Sequence, residues 1–267
     1  MGIGGLGLSE QNYFFAGTKQ AGAFFKSVSG FSPLYFNAQT PRFVPMALAQ
    51  NLARIEADLR GTSARLVAVT KTQRVGVLRQ LYDLGGRTFG ENRVQELMDK
   101  VSALPDDVEW HLIGHLQTNK VKYVAPFVAM IHSVDSLKLL QEIDKQARKH
   151  GRVIDCLLQI FIAQEETKFG LSEAEAEALL QAPELPGLAG VRLVGLMGLA
   201  TNTDDEAQIR REFQGLRRLF EYVSQTYSGP NLAWRELSMG MSGDYPIAIQ
   251  EGSTLVRVGS ALFGPRG

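Results

Sequence analysis

The sequence predicts a single closed (β/α)8 TIM barrel of the α/β class, and three observations carry the prediction. Short apolar runs alternate strictly with helical patterns eight times between residues 47 and 260. The first run, Leu66 to Val69, is apolar throughout with no period-two alternation, as expected of a parallel strand covered on both faces. The chain has 267 residues, 45% hydrophobic and 21% charged, and a barrel of about 250 residues forms one domain of this size.

Taken in order, Leu48, Leu52, Ile55 and Leu59 recur at three- and four-residue spacing and predict a helix over 47–60 that Gly61 stops. Residues 65–72 follow as Arg-Leu-Val-Ala-Val-Thr-Lys-Thr, a strand ending on Lys71. A helix over 75–84 ends at Gly85-Gly86, and a second strand over 87–92 turns polar at Glu91 and Asn92. Helix 94–101 leads to strand 109–114, a short helix 120–123 to strand 130–134, and Asp135 or Ser136 can cap helix 137–148. Strand 154–163, helix 172–180 with Ser172 as N-cap, and strand 193–199 come next. A long amphipathic helix over 206–227, strand 234–239, short helix 244–250 and strand 255–259 complete eight units. The alternation favours a closed barrel over an open doubly wound sheet, and the chain leaves no room for a second domain after the barrel.

Composition narrows the partners. Lys plus Arg and Asp plus Glu are 28 each, so no positive field exists to hold nucleic acid or an anionic membrane. No apolar stretch approaches the roughly 18 residues that span a bilayer, so a soluble protein that takes small molecules is expected. Cys156, the only cysteine, cannot form an intramolecular disulfide and fits a reducing, cytoplasmic compartment.

Residues 1–45 differ from the rest. They are rich in Gly, Phe and Ser, carry only Glu10, Lys19, Lys26 and Arg42 as charges, and show no sustained period. They read as a poorly ordered or atypical extension ahead of a barrel over 46–267. Gly2-Ile3-Gly4-Gly5-Leu6-Gly7 matches GxGxxG, but no strand precedes it, so a dinucleotide site is rejected. Leu6 stands where a myristoylation signal needs Ser or Thr. A targeting peptide and a translation start at Met46 both remain open.

In barrels of this kind the site lies at the carboxyl ends of the strands. There Lys71 either marks where a strand meets water or is a desolvated amine of lowered pKa that forms Schiff bases with carbonyl compounds. Phosphate sites in this fold favour the loops after strands seven and eight. Those loops are Ser238-Met239-Gly240-Met241-Ser242-Gly243-Asp244 and Gly259-Ser260-Ala261, each joining glycine to a hydroxyl. Closure of the barrel makes them neighbours of Lys71, so a phosphorylated aldehyde such as pyridoxal phosphate could bridge the two. Arg257, inside strand eight, either keeps a pyridine nitrogen unprotonated or closes a salt bridge at the barrel mouth. His111 and His115 straddle a strand end and Gly114, do not share a helical face as a zinc pair would, and read as structural hydrogen bonders; no metal is expected. Glu91, Glu165 and Glu166 could act as acids or bases, but loop carboxylates are usually solvated. Lys168 is a second amine, less desolvated than Lys71 in its Thr-Lys-Phe-Gly loop.

Several blocks together resemble the pyridoxal phosphate homeostasis protein family. They are Val69-Thr70-Lys71, Phe89-Gly90-Glu91-Asn92, Trp110 through Lys120 (WHLIGHLQTNK), His132-Ser133-Val134-Asp135-Ser136, Leu237 through Asp244 (LSMGMSGD) and Gly252 through Ser260 (GSTLVRVGS). The resemblance spans about residues 47 to 266. It implies a barrel like the amino-terminal domain of alanine racemase, holding pyridoxal 5′-phosphate as an internal aldimine on Lys71. Ser242, Gly259 and Ser260 would hold phosphate, Arg257 would lie near the pyridine nitrogen or phosphate, and Asn92 would complete the cofactor-binding set. No catalytic residue is expected. The resemblance further implies a monomer that buffers or delivers this vitamin B6 cofactor, with PLP-dependent apoenzymes as transient partners and an effect on amino-acid and keto-acid balance. Two enzymatic alternatives stand beside it: an amino-acid racemase or decarboxylase working through the same lysine, and an aldolase using Lys71 with no cofactor. The extension at 1–45 is the departure from the family pattern.

Overall fold

Eight parallel strands pair in sequence order and close on themselves: β1 (Arg65–Val69), β2 (Thr88–Glu91), β3 (Glu109–Leu112), β4 (Met130–Val134), β5 (Ile154–Ile160), β6 (Val191–Gly198), β7 (Leu232–Ser238) and β8 (Leu255–Val258). The closing pair sets Leu66 against Val256 and Val67 against Arg257. The structure is a computed structural model and describes residues 46–163 and 170–264. The extension at 1–45 and the side chains of Glu165, Glu166 and Lys168 therefore lie outside the described residues.

Helices follow the strands: α1 (Met46–Leu59) precedes β1, then come α2 (Val75–Asp83), α3 (Val94–Val101), α4 (Val121–Val124), α5 (Leu137–Lys149), α6 (Glu173–Leu180), α7 (Glu206–Thr226), α8 (Tyr245–Gln250) and α9 (Ser260–Phe263). The capping signals act as expected. Ser136, rather than Asp135, caps α5 by accepting from the Leu139 amide at 3.3 Å, and Ser172 forms a reciprocal capping box with Glu175 on α6. Among the described residues no helix is long and apolar enough to cross a membrane.

Several boundaries differ from the sequence expectation. β5 stops at Ile160 rather than 163, because the Phe161 amide donates to Leu171 O and the chain leaves the sheet. β7 begins two residues early at Leu232, following a bond from the Leu193 amide to Asn231 O. The short turn α9 was not expected. β1 ends at Val69, so Lys71 sits two residues beyond the strand, half-buried in a turn, instead of on the strand itself.

The barrel has two cores, which explains the unbroken apolar runs. Outward-facing side chains such as Ala68, Phe89, Leu112, Ile131, Leu158 and Val256 pack under the helices. A smaller cluster of Val67, Met130, Leu157, Val194, Met197 and Leu255 fills the inside. Burial on both faces removes the alternation that a one-sided sheet would show.

Candidate functional site

The carboxyl ends of the strands enclose a cleft of about 410 Å³ whose lining includes Lys71, Asn92, Ser242, Arg257, Gly259 and Ser260. The six expected residues, drawn from four separate parts of the chain, thus meet at one place. Val69, Ile113 and Leu199 supply apolar wall. A cleft of this size, with an apolar wall facing convergent polar groups, suits a small cofactor.

Local sequence chemistry puts each wall in place. After β7 the chain turns at Gly240, whose φ of +94° and a gap that would leave an added Cβ 2.6 Å from Ala248 Cβ both require glycine. The Gly240 carbonyl then accepts from the Arg257 amide at 2.9 Å, tying this loop to β8. Ser242 Oγ accepts from the amides of Gly259 at 3.1 Å and Ala261 at 3.2 Å. Two backbone amides thus converge on the Ser242 hydroxyl, and the Ser260 hydroxyl lines the same cleft, so this corner gathers the kind of donors that a phosphate takes. Asn92 is set by Gly114, since a Cβ there would lie 2.8 Å from Asn92 Cα and closer still to its carbonyl oxygen.

Arg257 feels the Asp244 carboxylate electrostatically, while the hydrogen bonds of its guanidinium go to neutral groups. Its guanidinium donates to Ser238 Oγ at 2.5 Å and to Gly198 O at 2.9 Å. Ser238 Oγ lies 3.0 Å from His132 Nδ1, and His132 Nε2 lies 3.0 Å from His111 Nδ1. Arginine can only donate, so Ser238 Oγ accepts from Arg257; a serine hydroxyl can accept twice, so the bonds onward to His132 and His111 form in either direction with one proton on each ring. Both imidazoles are then neutral. Burial pushes His111 down to about 3 and, with the neighbouring His111 and Arg257, holds His132 well below its ordinary value. Burial also lowers Arg257, to about 10, which leaves it a cation at neutral pH. His115 lies apart from His111, exposed and 3.3 Å from Asp135.

On the other side of the cleft, Glu91 corrects the expectation of a solvated loop carboxylate, since it is fully buried at the end of β2. Its Oε1 accepts from Thr70 Oγ1 at 2.5 Å and Lys100 Nζ at 2.7 Å. The buried Lys100 also donates to Thr70 O and Glu96 Oε1, each at 2.8 Å, using all three of its donors. Burial pushes the Glu91 carboxyl up against these hydrogen bonds. Partial burial also pushes Glu96 up, but bonds from Lys100 and the Thr72 amide hold it below the ordinary range. Thr72 has φ of +65°, a left-handed conformation that costs a β-branched residue about 1–3 kcal/mol.

The family model for the alanine racemase N-terminal domain matches residues 45–267. The pyridoxal phosphate homeostasis protein of Aquifex aeolicus is 42% identical over 205 residues, covering 76% of this chain and 87% of that protein. The chain belongs to the pyridoxal phosphate homeostasis protein family. Among solved structures, PipY of Synechococcus elongatus PCC7942 with PLP bound is 38% identical with a TM-score of 0.73, covering 81% of this chain and all of PipY. Alanine racemase from Bartonella henselae, at 18% identity and a TM-score of 0.61 over 82% of this chain and 58% of that one, shares the fold.

Sequence reasoning missed part of what surrounds this family's cleft. Gln73, Met241 and Gly264 line it, and Glu96 and Lys100 act from behind it. Lys100 carries a signal only in retrospect: it falls beside Leu97 on the inner face of α3, where an unpaired lysine would be costly. Ser238 and His132 sit within quoted motifs, but their joining to Arg257 appears only once the barrel closes.

Proposed function

We propose that this chain binds pyridoxal 5′-phosphate covalently through Lys71 and serves as an intracellular carrier of the cofactor, buffering it or delivering it to apoenzymes. The observation that carries the reading is the make-up of the cleft. Among its described lining residues the titratable side chains are Lys71 and Arg257. Lys71 is the amine that would hold the cofactor through its aldehyde, a Schiff-base chemistry that primary amines supply. Ser242, Gly259 and Ser260 would hold the phosphate, Asn92 would contribute an amide, and Arg257 would lie near the pyridine nitrogen or phosphate.

The same make-up argues against turnover. Bound pyridoxal phosphate supplies an electron sink that works best with its ring nitrogen protonated, and Arg257 is a buried cation that only donates, so it opposes that protonation. Racemisation also needs acid and base on opposite faces of the reacting carbon, and apart from Lys71 the described lining offers no such group. A monomer in the cytoplasm fits a carrier that meets its acceptors by diffusion.

The test is to load the protein with pyridoxal phosphate, reduce it with borohydride and map the label, then incubate unreduced holoprotein with L-alanine or L-serine in deuterium oxide. The label is expected on Lys71 and is lost in Lys71→Ala, which stays folded, while chirality and α-proton exchange remain at background. A label on Lys168 refutes the site, and sustained turnover abolished by Lys71→Ala makes the protein an enzyme.

A further inference from the structure

We propose that Glu96 and Lys100 on α3 are positioning residues that clamp the strained turn 70–72 and so aim Lys71 into the cleft and slow cofactor release. The release half of this proposal rests on the function proposed above; the clamp itself does not.

Lys71 is flanked by two residues that are each held from outside the turn. Thr70 is fully buried, its amide donates to Gly90 O at 3.0 Å, and its hydroxyl donates to Glu91 Oε1. Its carbonyl takes donors from Lys100 Nζ at 2.8 Å and the Gln73 amide at 3.0 Å. Thr72 is held by a bond from its amide to Glu96 Oε1. The oxygen that receives Thr72 is also the oxygen bound by Lys100 at 2.8 Å. Lys100 therefore grips the turn twice, directly at Thr70 and through Glu96 at Thr72. A β-branched residue keeps a positive φ only where its surroundings over-determine it. With both neighbours fixed, the Cα–Cβ direction of Lys71 is fixed as well.

Glu91 ties the clamp to the barrel. It is the residue before Asn92, which lines the cleft, and its Oε1 serves Thr70 and Lys100 together. Its Oε2 has no hydrogen-bond partner among the described residues. An orphaned buried oxygen of this kind is tolerated where other bonds keep the carboxyl in place. Removing Lys100 would strip that support and risk the fold. Glu96, half-buried at the edge of the network, is the safer handle.

The experiment compares wild type, Glu96→Ala, Glu96→Gln and the double variant Glu96→Ala/Thr72→Asn. Hydrogen exchange at the residue 72 amide is measured on the protein without cofactor, and release of pyridoxal phosphate to an excess of acceptor apoenzyme on the loaded protein. In Glu96→Ala the amide is expected to exchange about tenfold faster, and the cofactor to leave about tenfold faster, with the melting temperature near that of wild type. Glu96→Gln, which keeps the acceptor oxygen, falls between. Asparagine accepts the left-handed region more readily than threonine, so the double variant recovers slower release. A purely structural role for Glu96 would lower the melting temperature without this rescue. Unchanged amide exchange in Glu96→Ala overturns the clamp, and faster exchange with unchanged release overturns its role toward Lys71. If wild type takes up no pyridoxal phosphate, the carrier function fails and the release role with it, while the amide data still decide the clamp.

Discussion

Acidification should destabilise the barrel through the two histidines in its interior. The folded values lie below the ordinary 6.5, His111 at about 3 and His132 well below. The unfolded chain therefore binds protons that the folded chain refuses. The stabilisation is fully present above about pH 6.5 and is lost as pH falls below it. Each histidine costs 1.36 kcal/mol per pH unit in that window, which makes about 2 kcal/mol at pH 5 for one and about 4 kcal/mol for the pair. Geometry supports the sign, because both rings are sealed from water and a positive charge on either would lie within a hydrogen-bonded chain that ends on the Arg257 cation. The raised Glu91 carboxyl acts in the opposite direction, so the assay must be differential. Unfolding free energies from urea titrations at about pH 7.5 and about pH 5 are compared between wild type and His111→Gln/His132→Gln. The double variant is less stable at the higher pH but should lose about 4 kcal/mol less on acidification, Glu91 and the exposed His115 being common to both. An equal loss in the two proteins would refute the neutral, proton-excluding histidine pair.

Two further outcomes are expected. A chain beginning at Met46 should keep the cofactor absorbance and melting temperature of the full chain, because the barrel and its cleft are built from residues after that point; marked destabilisation would show that 1–45 supports the barrel. Gly114→Ala should cost about 1–3 kcal/mol through overpacking and weaken cofactor binding by pushing the Asn92 backbone that the added Cβ would strike; a thermal unfolding scan and a cofactor titration check the two effects, and an unchanged affinity would remove Asn92 from the site.

Much of this architecture is local and so readable from residue order. Eight apolar runs separated by helical patterns describe a barrel because each strand and helix carries its own periodicity, and caps such as Ser136 and Ser172 act over three residues. Lys71, the glycine–serine loops around Ser242 and Ser260, and the position of Arg257 were legible for a related reason: in this fold the ends of strands are functional by topology. The remainder depends on contacts across the barrel. Lys100 and Thr70 are 30 positions apart, His132 and Ser238 are 106 apart, and no spacing rule links such pairs. Burial decided the rest, since only the packed structure turns Glu91 from a loop carboxylate into a sealed anchor and the lumen histidines into neutral links behind Arg257. Sequence by itself determined which residues would reach the mouth of the barrel; tertiary structure alone decided how they are held there, because hydrogen-bond polarity and desolvation arise from neighbours that the chain brings together only on closing.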